Sequence, residues 1–314
     1  MSLRKLSRVV LTVAVAVVLA LPVSSASDEV KKIKVVLVPE RNIFNQQSKY
    51  LTMRDYISSI LPVNIEFHVL KDYEEVMEVL EIGEADAGVL GSFLMLHGMV
   101  NHDLIPLARP VWNSGESVYQ SVIFTRVSST VTKDIKTWEG RSFAFANRHT
   151  SAGFYYPLYL MRANGIKKDP WDFFSEMKEA GSHDAALWMV SNNLADIGAA
   201  KDTIFRETMR KNPELEDLIK VLYTGGKFPD ATFAVISSMD PALRESLKQA
   251  LLGMHNSPEG RKVLDEFGAR KFIPSPREDY NAVLDVVAKA GFDINKITVV
   301  DHLGRKLKRK GKLP

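Results

Sequence analysis

From Ser142 to Pro157 the chain reads Ser-Phe-Ala-Phe-Ala-Asn-Arg-His-Thr-Ser-Ala-Gly-Phe-Tyr-Tyr-Pro. An apolar run passes through a short polar turn into a segment whose proline belongs in the first turn of a helix, where no N–H is needed. At that junction the hydroxyls of Thr150 and Ser151 converge with unpaired N–H groups of about Ser151 to Phe154, and Ala152 and Gly153 add no bulk. Such a turn suits a small anion, although a plain Thr/Ser helix cap would have the same residues. Gly181-Ser-His-Asp184 opens a second helix. There Ser182 is a natural N-cap, and His183 can donate to an oxyanion.

Four more residues are candidates for the same ligand. Arg148 could fork onto a phosphate-like group or remain solvated. Ser92 and Phe93, at the end of a short apolar run, would face the donors of the polar turn. Asp230, after Gly225-Gly-Lys-Phe-Pro229, could accept from a ligand amine or hydroxyl. No catalytic set accompanies them. The chain has no Gly-x-Ser-x-Gly elbow, no Walker loop and no His-Glu-x-x-His, and its seven histidines lie without metal-ligand spacing. No enzymatic activity, metal or cofactor is therefore expected.

Residues 1–26 read as an export signal. Arg4, Lys5 and Arg8 precede an apolar run from Val9 to Leu21, and Pro22-Val-Ser-Ser-Ala26 offers small residues for cleavage. The expected compartment is the periplasm. There are no cysteines, so neither a disulfide framework nor a lipid attachment point is available. The net charge of +3 conceals a division. Without residues 1–26, which hold three of the 41 cations and no acid, cations and acids balance at 38 each. Six more cations crowd into Arg305–Lys312, leaving 27–304 six charges negative. An anion site in that body must rely on local donors and helix ends rather than a general positive field. Nucleic acid is excluded as a partner on the same ground.

The elements that must position these groups alternate between strand and helix. Ile33–Pro39, Val63–Leu70, Ala87–Leu90, Phe143–Ala146 and Ile197–Ala200 read as buried strands, and Tyr50–Leu61, Tyr73–Glu81, Gly153–Ala163 and His183–Asn193 as helices. Leu80–Gly88 and Val190–Gly198 repeat one pattern of helix, polar turn and Ala-Asp-x-Gly, with Asp86 and Asp196 equivalent. The reading is α/β: two doubly wound lobes with a ligand cleft between them at the carboxyl ends of the strands. The first lobe is expected over 27–122 and 234–304, the second over 123–233, with 305–314 a basic tail.

The Thr/Ser-rich turn, the proline after it, the Gly-Ser-His-Asp segment and the Ala-Asp-Ala-Gly-Val-Leu-Gly strand resemble the phosphate/phosphite/phosphonate substrate-binding proteins of ABC transporters, a branch of the type 2 periplasmic binding proteins. The likeness covers nearly all of the chain after residue 26, including Glu278-Asp-Tyr-Asn-Ala-Val283. It implies a protein that captures a small anionic ligand and passes it to an inner-membrane ABC permease, acting as a monomer. It also implies that Thr150, Ser151, Ala152 and Gly153 hold the oxyanion, with His183 facing it. The family's turn is usually Ser-Thr-Ser-Gly, so the third hydroxyl is missing here. The aromatic after the first-lobe strand falls at Phe93, which cannot donate. A sensory subunit acting on a receptor kinase would share the fold.

Overall fold

The β-branched and alanine-rich runs become the inner strands of two sheets, each covered by helices on both faces. The computed structural model describes residues 31–40 and 43–298. The expected signal segment 1–26 and basic tail 305–314 lie outside the described residues. The first lobe opens with β1 (Lys31–Leu37), α1 (Ile43–Ile60), β2 (Val63–Val69), α2 (Tyr73–Glu81), β3 (Ala87–Leu90), α3 (Ser92–Asn101) and β4 (Ile105–Trp112). The chain then crosses to a second lobe of β5 (Val118–Arg126), β6 (Ser142–Phe145), α4 (Tyr156–Ala163), α5 (Pro170–Phe173), β7 (Glu176–Glu179), α6 (His183–Ser191), β8 (Ile197–Lys201), α7 (Asp202–Lys211) and β9 (Ile219–Pro229). It returns as β10 (Thr232–Val235), α8 (Pro241–Gly253), α9 (Pro258–Phe267), β11 (Ala269–Pro274) and α10 (Asn281–Lys289).

The two sheets share one plan. The first has the order β11-β4-β10-β3-β1-β2, the second β7-β6-β8-β5-β9. In each, a central strand pairs parallel with two others, β1 with β2 and β3, and β6 with β7 and β8. One strand beside them runs antiparallel, β10 in the first sheet and β5 in the second. The crossings between lobes fall in the turns at 113–117 and 230–231. Positions 122–123 and 233–234, where the sequence reading divides the lobes, are inside β5 and β10, because the ladders with β8 and β3 run unbroken through both points.

The repeated Ala-Asp-x-Gly pattern has a structural cause. The Asp86 carboxylate accepts from the backbone N–H of Lys34 at 2.8 Å, and that of Asp196 accepts from Ser142 at 2.9 Å. Each aspartate thus ties the start of the third parallel strand to the central one. The glycine two residues later lets the preceding helix lie close on the sheet. At Gly198 a Cβ would come 2.4 Å from Phe124 and 2.8 Å from Val190, whereas at Gly88 the nearest atoms, on Leu80 and Leu90, stand at 3.1 Å.

One apolar cluster runs through both lobes, joining Val36, Phe93 and Val283 with Phe145, Phe154 and Leu158. Returning helix α10 thus packs against α4 of the second lobe. The lobes meet at a set of polar groups at the carboxyl ends of β1, β3, β6 and β8.

The glycine contacts give an ordered expectation for stability. Gly198→Ala should cost about 1–3 kcal/mol in urea denaturation, because Phe124 is fully buried and cannot yield. Gly88→Ala should cost clearly less, since leucine ends can shift by the few tenths of an ångström required.

Candidate functional site

The polar turn after β6 is held by its own bonds. Asn147 Oδ1 accepts from the His149 N–H at 2.8 Å, and the Thr150 hydroxyl donates to the Asn147 carbonyl at 2.7 Å. The Ser121 hydroxyl of β5 donates to the Ala152 carbonyl at 2.6 Å, pinning the turn onto the sheet. Ser151–Tyr155 then form a wide π-type turn that leads into α4, with Pro157 in the first turn of that helix. The first bonds of the wide turn come from the N–H groups of Phe154 and Tyr155, which both donate to the Thr150 carbonyl at 3.2 Å. Among the described residues the N–H groups of Ser151, Ala152 and Gly153 therefore have no partner. The sequence reading extends this set to Phe154; the wide turn closes one residue earlier. Gly153 has little room for a side chain, since a Cβ there would stand 2.8 Å from Thr150 Oγ1.

Ser92, the first residue of α3, faces this turn from the other lobe. Its hydroxyl lies 2.8 Å from the Ser151 hydroxyl and 2.5 Å from that of Tyr119 on β5. Phe93 is buried and stacks on Tyr155 at 4.4 Å and on His149 at 5.9 Å. It seals the interface through packing. His183 begins α6 behind the N-cap Ser182, which accepts from the Ala185 N–H at 3.3 Å. The His183 N–H donates to the Glu40 carbonyl, and its Nδ1 accepts from the Lys201 N–H at 3.2 Å. That bond places the ring's proton on Nε2, making the outer edge of the imidazole a donor.

Two predicted ligand contacts already have protein partners. Arg148 is half-buried and forks onto Glu179 of β7, at 2.9 and 3.3 Å. Asp230 is fully buried between β9 and β10. Its carboxylate accepts from Lys201 Nζ at 2.5 Å, Trp112 Nε1 at 2.7 Å and its neighbour's N–H at 2.6 Å.

Four residues in this cluster escape the sequence reading. Lys201, the last residue of β8, spans Asp230 and Glu40, with both Glu40 oxygens at 3.1 Å. Its ammonium also lies 4.8 Å from the centre of the Tyr119 ring. Burial alone would push the lysine down, but Asp230 and Glu40 outweigh it and raise the lysine above its ordinary value. Burial pushes the Tyr119 phenol up to about 12. Tyr73, the first residue of α2, is buried with no hydrogen-bond partner for its hydroxyl among the described residues. Burial and the nearby Glu40 raise it well above the ordinary phenol value, so it stays a neutral donor. Of these, only Glu40 and Lys201 carry a positional signal: they lie just past or at the carboxyl ends of the parallel strands β1 and β8, where open α/β sheets place ligands.

With this geometry the relatives become informative. Residues 35–280 match the family described as ABC transporter, phosphonate, periplasmic substrate-binding protein, and the chain belongs to that family. It is 24% identical over 223 residues to the phosphate-import protein PhnD of Mycolicibacterium smegmatis, covering 69% of this chain and 70% of that one. In structure it is similar to a binding-protein component of an ABC phosphonate transporter from Pseudomonas aeruginosa, with a TM-score of 0.75, 16% identity, and coverage of 82% and 86%. It is also similar to PhnD1 from Prochlorococcus marinus in complex with methylphosphonate, with a TM-score of 0.74, 18% identity, and coverage of 85% and 99%. These neighbours share the two-lobed α/β fold. Among the described residues no helix is long and apolar enough to cross a membrane.

A second interlobe contact responds to pH. Glu74 of α2 lies 3.4 Å from His149 Nε2 and accepts from Asn147 Nδ2 at 3.3 Å. Burial pushes its carboxyl up, but the bonds to His149 and Asn147 outweigh that and hold it below the ordinary 4.5. A carboxyl lowered by folding contributes stability above its ordinary value, and that contribution is lost as the pH falls through the lowered one. The melting temperature should therefore fall as the pH drops from about 5 to about 3. Glu74→Gln should show a shallower decline over the same interval in thermal melts.

Proposed function

We propose that the protein captures a small tetrahedral phosphorus oxyanion between its lobes and delivers it to an ABC permease after export to the periplasm. One observation carries the reading. Three buried N–H groups at 151–153, beside the bridge from Ser92 to Ser151, have no partners among the described residues, and neither does the buried Tyr73 hydroxyl, which lies near Glu40 and Tyr119. Buried donors are costly unless matched, and an anion matches several at once. Tyr73, Ser92, Ser151 and His183 each begin a helix or helical turn, so four positive helix ends add to the attraction.

The relatives agree in chemistry, one named for phosphate import and one bound to methylphosphonate. Thr150 contributes by shaping the turn, because its hydroxyl proton is committed to Asn147. Ala152 and Gly153 contribute backbone N–H groups, and His183 marks the start of α6 beside them. Donors from both lobes would favour the joined arrangement, which is the state a permease can recognise.

Calorimetry against phosphate, phosphite and methylphosphonate tests this. At least one should bind, and Ser151→Ala should weaken it by at least about tenfold, the effect of one lost bond to a charged group. Equal affinity in the variant would remove the Ser151 hydroxyl from the site.

A further inference from the structure

Asp230, which the sequence reading offers to a ligand's amine, is already neutralised from within. Asp230 is fully buried and Lys201 almost so, with the ammonium 2.5 Å from Asp230 and 3.1 Å from both Glu40 oxygens. Glu40 belongs to the first lobe, Lys201 to the second, and Asp230 to the return crossing between them. The ammonium also covers the ring of Tyr119, whose hydroxyl reaches Ser92 beside the oxyanion turn. On its other side, Lys201 and Glu40 line an interlobe cavity of about 420 Å³ that also includes Lys49, Trp112 and Arg210. Lys201 is thus both a charge and a wall between the turn and that cavity.

We infer that Lys201 is a specificity-determining residue: its ammonium occupies the position of a ligand ammonium group, so the site selects compact oxyanions and rejects aminoalkyl phosphonates. The inference rests on the oxyanion reading above and adds to it the class of substituent that the site refuses. Two effects act together. An incoming ammonium group would meet Lys201 as a like charge and find no unmatched carboxylate. A ligand longer than a single carbon substituent would have to displace a buried ion pair, which leaves the displaced charges unmatched. Conversely, without Lys201 the charges of Glu40 and Asp230 would stand without their cation. They would oppose a simple oxyanion and favour one bearing its own cation.

The test is calorimetric titration of the full protein with phosphate, phosphite, methylphosphonate and 2-aminoethylphosphonate, in the wild type and in Lys201→Ala. The wild type should bind one of the first three at least about tenfold more tightly than the aminoalkyl compound. Lys201→Ala should lose affinity for that ligand and reverse the preference, and added ethylammonium should restore part of the loss where an equal concentration of potassium does not. Wild-type binding of 2-aminoethylphosphonate as tight as that of methylphosphonate overturns the assignment of Lys201, even if the variant fails to fold. A folded Lys201→Ala with wild-type preference overturns it too. Failure of the wild type to bind any of the four overturns the oxyanion reading itself.

Discussion

The organisation of the site depends on an electrostatic constraint: helix starts from both lobes face one another. The first residues of α2 and α3 in the first lobe, and of the wide turn and α6 in the second, gather around Tyr119, Glu40 and Ser151. Each start carries partial positive charge and N–H groups that its own helix cannot bond. On the proposed reading, a shared negative charge would be attracted to all of them at once. The surrounding body is acidic overall, so the attraction must come from these local dipoles. On that reading the 150–153 turn would need no arginine. Arg148, the nearest guanidinium in sequence, is turned outward onto Glu179.

The second element is a charge pattern that separates the two ends of the site. At the turn the donors are neutral: N–H groups, hydroxyls and a phenol kept protonated by burial. At the far end, Lys201 joins both lobes and the crossing segment through Glu40 and Asp230. Buried ion pairs add little net stability, because desolvation offsets their attraction, but breaking one is costly. Their effect is to fix geometry. The lobes are therefore registered at one end by Ser92 and Ser151 and at the other by Lys201, with Glu74, Asn147 and His149 forming a third contact at the rim.

Much of the fold was legible because its signals are local. The strands β1, β3, β6 and β8 hold short apolar runs bounded by polar turns, β2 alternates apolar and polar residues, and α2 carries a clean apolar stripe. Helix α3 is harder to see: eight of its ten residues are buried, so no polar face marks its period. Strands β7 and β11 were equally obscure, since Glu176–Glu179 has no apolar alternation and Ala269–Pro274 carries the charged pair Arg270-Lys271. At the site, Ser151, Gly153 and His183 could be named from helix-start chemistry, and Ser92 from its place after β3. Tyr73, Tyr119, Glu40 and Lys201 could not, because their roles arise only when the two lobes meet. Asp230 is the instructive case. Its type and position suggested a ligand contact, yet only the fold reveals the lysine 29 residues earlier in the chain that neutralises it.

The most direct measurement is the position of the phosphorus atom in a crystal of the protein grown with methylphosphonate. The account places it within hydrogen-bonding reach of the 151–153 N–H groups and the Ser92 hydroxyl, with Lys201 still bonded to Asp230. Phosphorus density in the outer cavity beside Lys49 and Arg210, with the 151–153 N–H groups making no contact to it, would contradict the account.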